Sequence, residues 1–491
     1  MCYTPLMTAP LIAQHKQNHV AARCEFRAAD VNLTPAQALS LFHRADAPAI
    51  LESSMQHPIY GRWSLFMSEP VDVCRAPDDA TDVAFLREAL ARRPVAARPD
   101  GAPPFAGGWV GYLSYEMGAR LETVVGSSRR DLGYPLAEFR LYDTVALFDH
   151  ASSAWSIGAI EWPAGEFGDR PDAATRINQL EKRLQAASAG LADANESAPD
   201  RCGSPTIAGC SLPIGEYMEA VKRARDYIAA GDIFQMNLTN RYEAFSDASP
   251  WDVYRRLRTT SPSFYGCLLD WPEAAIVSSS PELFLRVKGS TITTRPIKGT
   301  ARRSGDDSID QQRAAALASS LKETAELNMI VDLLRNDLGR IAQIGSVNVV
   351  HAGEIEFHPT VIHRVATLTA SLPDEKNWLD ALTAAFPGGS ITGCPKIRAM
   401  QLIDQLEPVP RGVYCGAIGW IGLDGDVEFN IAIRTMVLKD GRISFHAGGA
   451  ILAESEPMNE WEEIRSKARA MMAAAGEPDC KSWECARLPM S

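Results

Sequence analysis

The chain has 491 residues, 46% of them hydrophobic and 22% charged, which is the composition of a folded globular protein and excludes wholesale disorder. Its formal net charge is −12, which argues against nucleic acid as a partner, because nucleic-acid-binding proteins usually carry a basic face. An anionic ligand would have to be held by cations that the fold gathers locally. At a prior of about 150 residues per domain, this length fits roughly three domains or one large fold.

The ten cysteines form no CxxC pair and no zinc-ligand spacing, which favours buried thiols in a reducing compartment. The N-terminal residues lack the basic start and the continuous apolar core of a signal peptide. No apolar run reaches the ~18 residues that a membrane-spanning helix needs. We therefore expect a cytoplasmic protein with no membrane partner.

Composition also divides the chain into segments. Residues 1–20 are predicted to be a loose N-terminal lead, and residues 477–491 a loose C-terminal tail. Residues 186–213 are rich in Ala, Ser, Gly, Asp and Pro, which predicts a linker. It separates an N-terminal region, 21–185, from a second region, 214–476, in which strand-like runs alternate with helices.

Short apolar or aromatic runs bounded by turn residues predict strands in both regions. The runs are residues 49–53, 61–66, 107–115, 141–148, 275–279, 291–296, 416–422 and 442–447. Together with the helices, they indicate an α/β or α+β fold.

Two predicted helices are defined by apolar residues at helical spacing. The first covers residues 312–338 and ends at Gly339. The second covers residues 456–475, with Ser455 as the candidate N-cap and Gly476 as the stop.

Each of these helices carries a pair of glutamates three residues apart, and therefore on one face. Glu323 and Glu326 lie on the first helix, and Glu460 and Glu463 on the second, with Lys467 one turn further on. Like charges at this spacing destabilise an isolated helix unless a cation compensates. Carboxylate oxygens from facing helices suit Mg²⁺, whereas the alternative is two solvated acidic faces.

The segment FPGGSITGCPKIRAM, residues 386–400, contains a glycine-rich turn that leads to Pro395 at a helix start. Exposed backbone N–H groups at a helix start favour anions, and Lys396 in the first turn would be better tolerated beside one. The alternative is a plain loop-to-helix junction with an exposed lysine.

Two further residues have the setting of acid–base or nucleophilic groups. Lys298 in RPIKGT stands beside Ile297 and near Arg295, an environment that lowers the pKa of an amine nucleophile. Glu282 in SPELFL is flanked by apolar residues, which raise a carboxyl pKa as a general acid requires. The alternatives are a surface lysine and a salt-bridged structural glutamate.

Four more residues are candidates for ligand contact. His363 lies in an apolar run, where it is either a core histidine or a catalytic one. Arg434 in FNIAIRTM needs a carboxylate partner if it points into a core. Gly448 and Gly449 either present backbone N–H groups to an anion or form a tight turn.

The order and spacing of these segments resemble the chorismate-binding enzymes. The segments that carry the resemblance are GDIFQMNLTNR (231–241), SPELFLR (280–286), RPIKGT (295–300), KETAELNMIVDLLRNDLGR (322–340), FPGGSITGCPKIRAMQLIDQLEP (386–408), GAIGWIG (416–422), IAIRT (431–435) and GGAILAESEPMNEWEEIRSKA (448–468). The resemblance extends more loosely into the N-terminal half. It implies an α/β (α+β) fold like that of anthranilate synthase component I, a single complex sandwich of two large antiparallel sheets with outer helices.

The resemblance also implies a role for each candidate residue. The implied magnesium ligands are Glu323, Glu326, Glu460 and Glu463, around the ring carboxylate of chorismate. The implied substrate-binding residues are Tyr414, Arg434, Gly448, Gly449, Lys467, Gly299, Thr300 and Ser390. The implied catalytic residues are Glu282 as the general acid for the C4 hydroxyl, His363 beside the ring, and Lys298.

Two positions bear on the branch of the family. Gln235 stands where the water-adding members have a lysine, which disfavours that branch. Lys298 stands in PIKGT where anthranilate synthases resemble PIAGT, which favours aminodeoxychorismate synthase component I, a transaminase-class enzyme of 4-aminobenzoate and folate synthesis. The alternatives are anthranilate synthase component I and a non-catalytic protein that binds chorismate or tryptophan.

The favoured branch implies Mg²⁺ as cofactor and chorismate and ammonia as substrates. No glutaminase segment is recognisable, so we expect the ammonia to come from a separate glutamine amidotransferase subunit, component II. Glu52 and Ser53 in ILESS resemble the tryptophan pocket of the family, which implies a bound tryptophan; the alternative is that they simply end a core strand.

Overall fold

The computed structural model describes residues 22–55, 59–122, 124, 133–190, 204–358, 361–483 and 487–488. The predicted lead, residues 1–20, lies outside them. The α-helices in the described residues are α1 (Pro35–Phe42), α2 (Ala84–Ala91), α3 (Tyr115–Leu121), α4 (Ala173–Gly190), α5 (Ile214–Ala229), α6 (Pro250–Thr260), α7 (Asp307–Ser319), α8 (Leu321–Gly339), α9 (Trp378–Ala385), α10 (Lys396–Leu406) and α11 (Pro457–Ala475). Short 3₁₀ helices cover Gly389–Ile391 and Cys480–Trp483.

The strands follow the same numbering in chain order. They are β1 (Ala22–Ala29), β2 (Ala49–Glu52), β3 (Trp63–Met67), β4 (Asp72–Arg75), β5 (Ala96–Ala97), β6 (Gly108–Leu113), β7 (Ala137–Tyr142), β8 (Thr144–Asp149), β9 (Ala154–Glu161), β10 (Thr206–Cys210), β11 (Gln235–Phe245), β12 (Tyr265–Asp270), β13 (Ala275–Ser280), β14 (Leu283–Lys288), β15 (Thr291–Arg295), β16 (Ile297–Arg302), β17 (Asn348–Phe357), β18 (Val361–Ser371), β19 (Gly393–Cys394), β20 (Ala417–Gly422), β21 (Val427–Ile431), β22 (Thr435–Lys439) and β23 (Arg442–Ile451).

These strands form two large sheets. The first has the order β10-β11-β23-β22-β13-β12-β2-β3-β8-β9-β1-β5, and β19 pairs with β11. The second has the order β16-β18-β15-β14-β21-β20-β6-β7-β4, and β17 pairs with β18. The pairing is antiparallel except between β1 and β5. The predicted fold of two large antiparallel sheets with helices is confirmed.

The N-terminal and C-terminal regions contribute strands to both sheets. In the first sheet, Glu52 of β2 pairs with Gly266 of β12, and in the second, Leu113 of β6 pairs with Ala417 of β20. A buried apolar cluster between the sheets includes Leu65 of the first sheet. Because the N-terminal and C-terminal regions both contribute residues to each sheet and to this cluster, the two sheets form one sandwich.

The predicted helix over residues 312–338 is two helices in the structure, α7 and α8. Ser320 ends α7, and its Oγ accepts a hydrogen bond from the backbone N–H of Glu323 at 3.3 Å as the N-cap of α8. The second predicted helix is α11. It has Glu456 rather than Ser455 as its N-cap residue.

Two predicted strands are shorter in the structure than in the sequence interpretation. The run 107–115 ends as a strand at Leu113, and Ser114 then caps α3. The run 141–148 is interrupted at Asp143, because β7 belongs to the second sheet and β8 to the first. The buried carboxylate of Asp143 pairs with Arg176 at 2.8 Å.

The structure differs from the predicted linker at both ends and from the predicted loose tail. Residues 186–190 belong to α4 and residues 206–210 form β10, while 191–203 lie outside the described residues. In the tail, the fully buried Trp483 packs against Phe445 with ring centroids 5.2 Å apart. Leu488 donates its N–H to the carbonyl of Cys210 at 3.0 Å. These tail residues are therefore part of the packed structure.

No helix in the described ranges has both the length and the apolar character that crossing a membrane requires.

Candidate active site

Glu282 lies in the turn between β13 and β14, and its carboxyl group is buried. The Oγ of Ser390, in the 3₁₀ helix Gly389–Ile391, donates a hydrogen bond to Glu282 Oε1 at 2.6 Å. Burial raises the pKa of Glu282 to about 7, although the Ser390 hydrogen bond and the charge of Lys298 act in the opposite direction. Glu282 can therefore hold a proton near neutral pH and release it, as a general acid must.

Lys298 lies on β16 and is partly buried. Burial lowers the pKa of its amine, and Lys467 lowers it further, whereas Glu326, Glu282 and Glu463 oppose the shift. These interactions bring Lys298 into one electrostatic site with the general-acid candidate and two of the predicted metal ligands. A lowered amine pKa increases the neutral, nucleophilic fraction.

The two predicted glutamate pairs face the same site from α8 and α11. A Cβ at Gly299, where φ is +89°, would lie 2.9 Å from Glu323 Oε2. A Cβ at Gly449 would lie 3.4 Å from both Glu460 Oε2 and Glu463 Oε1. The absent side chains at these two glycines therefore leave the carboxylates close to the backbone of β16 and β23.

The carboxylates are also coupled electrostatically across the two helices. Burial raises the pKa of Glu326, Lys298 opposes this, and the charges of Glu323 and Glu463 add to it. Burial likewise raises the pKa of Glu460, and Glu463 contributes in the same direction. The pKa of Glu463 is lowered instead, because Lys467 and Lys298 oppose the effect of burial. A divalent cation would relieve the repulsion that neighbouring carboxylates impose on Glu326 and Glu460.

Several observations bear on whether these residues fit Mg²⁺. In the part of the chain that the structure describes, no group of three or more carboxylate, histidine or cysteine side chains is arranged to hold a metal ion as it stands. Lys467 Nζ instead contacts Glu463 Oε1 at 2.6 Å. The buried Oε2 of Glu460 has no hydrogen-bond partner among the described residues. Carboxylate oxygens are the hard donors that Mg²⁺ prefers, and the unsatisfied Glu460 oxygen is available to it. For Glu463 to bind the metal as well, its contact with Lys467 has to break.

His363 and Thr300 are paired neighbours on β18 and β16. Thr300 Oγ1 and His363 Nδ1 are 2.9 Å apart, and His363 Nε2 is buried without a hydrogen-bond partner in the described residues. Burial holds the pKa of His363 well below its usual range, and the charges of Arg434 and His358 lower it further. His363 is therefore a neutral imidazole at neutral pH.

Arg434 is a partly buried arginine with a positive φ of 51°. Its Nη1 donates to Ser261 Oγ at 3.2 Å, and no described carboxylate lies within ion-pair distance of it. The sequence argument required a carboxylate for this residue. Because the described protein supplies none, the guanidinium suits a carboxylate of a ligand.

Lys467 lies against the strand segment that contains Gly448 and Gly449, whereas Tyr414 contacts a different residue of the same strand. Lys467 Nζ donates to the Gly448 carbonyl at 3.0 Å. The buried ring of Tyr414 stacks on His446, two residues before Gly448 on β23, with centroids 5.1 Å apart. Tyr414 thus lies beside the strand that carries the two glycines.

The interpretation of Lys396 as an anion-binding lysine is wrong, and so is its alternative as an exposed lysine. Lys396 is buried at 6% exposure, and its Nζ donates to Asp337 Oδ2 at 2.6 Å and to the Ala385 carbonyl at 3.0 Å. The anion that it meets is the chain's own carboxylate from the end of α8.

We expect Lys396→Met to lower the free energy of unfolding by about 3–5 kcal/mol, because it leaves the Asp337 carboxylate buried and unpaired. Urea denaturation measures this. The matched control is Lys376→Met, which removes an outer lysine 3.8 Å from Asp380 and should cost less than about 1 kcal/mol. Equal losses in the two variants would contradict the structural role of Lys396.

Glu52 lines a cavity of about 740 Å³ between the two sheets, whose wall also contains Trp63, Phe264 and Trp420, whereas Ser53 is not part of that wall. The carboxylate of Glu52 accepts hydrogen bonds from Arg258 Nη2 at 2.6 Å and from Tyr254 Oη at 2.8 Å. Ser53 Oγ donates to the Met55 carbonyl at 2.5 Å. The side chains of both residues are thus hydrogen-bonded to groups of the protein itself, and tryptophan binding stays a prediction.

Sequence reasoning missed His358, whose ring packs edge-on against His363 with centroids 4.7 Å apart. His358 Nε2 lies 3.3 Å from Glu356 Oε2. A histidine at a turn between two strands carries no sequence signal for this contact, which depends on the pairing of β17 with β18.

A buried acid, Glu282, and an amine of lowered pKa, Lys298, come together here with two pairs of glutamates and with Arg434, which has no carboxylate partner among the described residues. Together they define an enzyme site for a small anionic substrate.

Comparison with known proteins agrees with this class. The chorismate binding enzyme family matches residues 49–473. The anthranilate synthase component 1 of Streptomyces coelicolor is 38% identical over 454 residues, which cover 91% of this chain and 87% of the relative. The aminodeoxychorismate synthase component 1 of Salmonella typhimurium is 35% identical over 432 residues, which cover 85% of this chain and 90% of the relative.

Among solved structures, the crystal structure of anthranilate synthase component I from Streptococcus pneumoniae superposes with a TM-score of 0.70 at 31% identity, covering 89% of this chain and 97% of that one. The chain belongs to the chorismate-binding enzyme family and is a chorismate-utilising enzyme. Relatives of both kinds have similar identity, so the comparisons leave the specific reaction open.

Proposed function

We propose that the chain is component I of an aminodeoxychorismate synthase, which converts chorismate and ammonia to 4-amino-4-deoxychorismate. The observation that carries this proposal is the position of Lys298, an amine of lowered pKa within the electrostatic reach of Glu282, Glu326 and Glu463. An amine nucleophile needs such a site, in which burial favours its neutral form and a general acid is close.

The protein's own residues have separate tasks in this proposal. Arg434 and Lys467, with the backbone of Gly448 and Gly449, hold a carboxylate of chorismate. His363, neutral and hydrogen-bonded through Nδ1, lies beside the ring. The substrate is thereby fixed with its C4 hydroxyl towards the acid and its C2 towards the amine.

The chemistry then uses two side chains. The lone pair of Lys298 Nζ forms a bond to C2, the two ring double bonds shift, and the C4–O bond breaks as Glu282 gives its proton to the departing water. Ammonia next forms a bond to C4, the double bonds shift back, and the lysine is expelled. The proton shed by ammonia restores Glu282, so the net change is chorismate plus ammonia to product plus water.

Mg²⁺, when bound by Glu323, Glu326, Glu460 and Glu463, would neutralise the ring carboxylate and favour loss of the C4 hydroxyl. The glycines at 299 and 449 support this assignment, because a Cβ at either position would approach the carboxylates.

The partner that we propose is a glutamine amidotransferase subunit, component II, which supplies ammonia in the cytoplasm for 4-aminobenzoate and folate synthesis. Relatives such as the Bacillus subtilis protein, 34% identical, are named aminodeoxychorismate synthase component 1, and a component 1 implies a second subunit. The cysteines at 24, 74, 210, 267, 394 and 415 are free thiols, which agrees with a reducing compartment.

Anthranilate synthase component I is the second candidate, and the identity of 38% to the Streptomyces coelicolor enzyme favours it. The cavity between the sheets adds to this candidate, since a site for tryptophan would permit feedback inhibition. Inhibition of the purified chain by tryptophan would favour this reading.

A product assay tests the proposal. The purified chain is incubated with chorismate, Mg²⁺ and ammonium, with and without aminodeoxychorismate lyase. We expect 4-aminobenzoate to form only when the lyase is present. Fluorescent anthranilate without the lyase would contradict the proposal and support the second candidate.

A further inference from the structure

The turn that carries Ser390 is held to the rest of the protein through three successive carbonyl groups. The carbonyl of Ser390 accepts a hydrogen bond from Asn237 Nδ2 at 2.6 Å. The carbonyl of Ile391 accepts from Arg411 Nη1 at 2.8 Å, and that of Thr392 from the backbone N–H of Asn237 at 2.8 Å. Three donors on two residues therefore fix this turn.

The two residues that hold the turn are themselves fixed. Arg411 is fully buried, and Glu407 accepts two hydrogen bonds from its guanidinium at 2.9 and 2.7 Å. Arg411 Nη2 also donates to the Asn237 carbonyl at 2.9 Å. The backbone N–H of Arg411 donates to Glu116 Oε1 at 2.7 Å. Asn237 and Arg411 thus form a rigid support with few alternative positions.

The consequence of this support reaches the general-acid candidate. The groups that face the Glu282 carboxyl are the Ser390 hydroxyl, the Lys298 amine and the backbone N–H of Ile297. The hydroxyl at 2.6 Å stabilises the carboxylate form, and its position depends on where the turn lies. The proton affinity of Glu282 should therefore depend on residues that do not touch it.

We infer that Asn237 is a positioning residue for Glu282, because its side-chain amide holds the turn in the position that directs the Ser390 hydroxyl onto the carboxyl group. This inference rests on the proposed function, in which Glu282 is the general acid. Asn237 is 8% exposed, and its side-chain amide donates to the Ser390 carbonyl of the turn.

The test compares the pH dependence of kcat for wild type, Ser390→Ala, Asn237→Ala and the double variant. Activity requires protonated Glu282, so wild-type activity should fall as pH rises through about 7. Loss of a hydrogen bond to the carboxylate raises its pKa, so the alkaline limb of Ser390→Ala should move up by about one pH unit. Asn237→Ala should move it in the same direction, and the double variant no further than Ser390→Ala.

Asn240→Ala is the matched control. Asn240 is a buried asparagine on the same strand. Its side-chain amide donates to the Leu212 carbonyl and accepts from the Leu212 N–H, both at 2.8 Å, and neither bond involves the Ser390 turn. It should lose stability without moving the pH profile. If Asn237→Ala does not fold, Asn237→Ser, whose hydroxyl is too short to hold the turn, replaces it.

The inference would be overturned if the alkaline limb of Asn237→Ala stayed at the wild-type pH. It would also be overturned if the shift in the double variant equalled the sum of the two single shifts. Infrared titration supplies a readout without turnover, since the carboxylic acid band absent from Glu282→Gln reports Glu282 directly. That band should disappear about one pH unit higher in Asn237→Ala than in wild type. An inactive wild type with this infrared shift would refute the proposed function alone, whereas an active wild type without the shift would refute only the role of Asn237.

Discussion

Lys298→Ala is expected to lower the rate of 4-amino-4-deoxychorismate formation on the order of 10³-fold, because it removes the nucleophile that displaces the C4 hydroxyl. The effect should fall on kcat more than on KM. Lys298 contributes to the chemistry, whereas Arg434 and Lys467 hold the substrate carboxylate in the proposed mechanism. Single-turnover kinetics with chorismate and ammonium, coupled to the lyase, measure this.

Two controls make the result specific. Lys376→Ala removes an outer lysine near Asp380 and should leave kcat unchanged. Thermal unfolding should give similar midpoints for Lys298→Ala and wild type, because replacing a desolvated amine removes a group whose burial is unfavourable. Unchanged turnover in Lys298→Ala would remove the covalent-lysine mechanism, and a change of product to anthranilate would show that Lys298 selects the reaction.

The pH dependence of this step also follows from the structure. Burial lowers the pKa of Lys298, so the nucleophilic neutral amine becomes populated at a lower pH than for an exposed lysine. Burial raises the pKa of Glu282 to about 7, so the acid form persists to neutral pH. The two shifts bring the pH range of the neutral Lys298 amine closer to the pH range of the protonated Glu282, which agrees with their proposed roles.

Much of the candidate site could be predicted from sequence because its chemistry lies in local spacing. Glu323 and Glu326 share a helix face by virtue of three-residue spacing, and the same holds for Glu460 and Glu463. The strand runs followed from apolar segments between turns, and the family resemblance supplied the way in which they assemble. The break between α7 and α8 was missed because apolar spacing continues past Ser320, which ends one helix and caps the next.

The features that sequence reasoning missed depend on contacts between distant segments. Lys396 meets Asp337, 59 residues earlier in the chain, and neither residue's neighbours indicate the pair. Asn237 and Arg411 hold the Ser390 turn through carbonyl groups, which every residue has and which therefore leave no pattern. Trp483 looked like part of a loose tail because nothing local shows that Phe445 receives it.

Glu326→Gln should abolish Mg²⁺-dependent binding of chorismate. Glu326 is a partly buried carboxylate on α8 that interacts with Glu323 and Glu463, and the amide retains its shape but loses the charge that a cation requires. Because loss of an outer-sphere partner alone weakens metal binding about 10–100-fold, loss of a ligand should exceed 100-fold. Isothermal titration of the variant with chorismate, at several Mg²⁺ concentrations, measures this.

The matched control is Glu462→Gln on α11. Glu462 is exposed and pairs with Arg465 at 2.8 Å, next in sequence to Glu463 but on the outer face of the helix. It should keep the wild-type dependence on Mg²⁺. Glu326→Gln also removes a charge that raises the pKa of Lys298, so in the absence of Mg²⁺ that amine should titrate at lower pH than in wild type. Normal Mg²⁺-dependent binding together with this shift would refute the metal assignment while preserving the electrostatic interaction between Glu326 and Lys298.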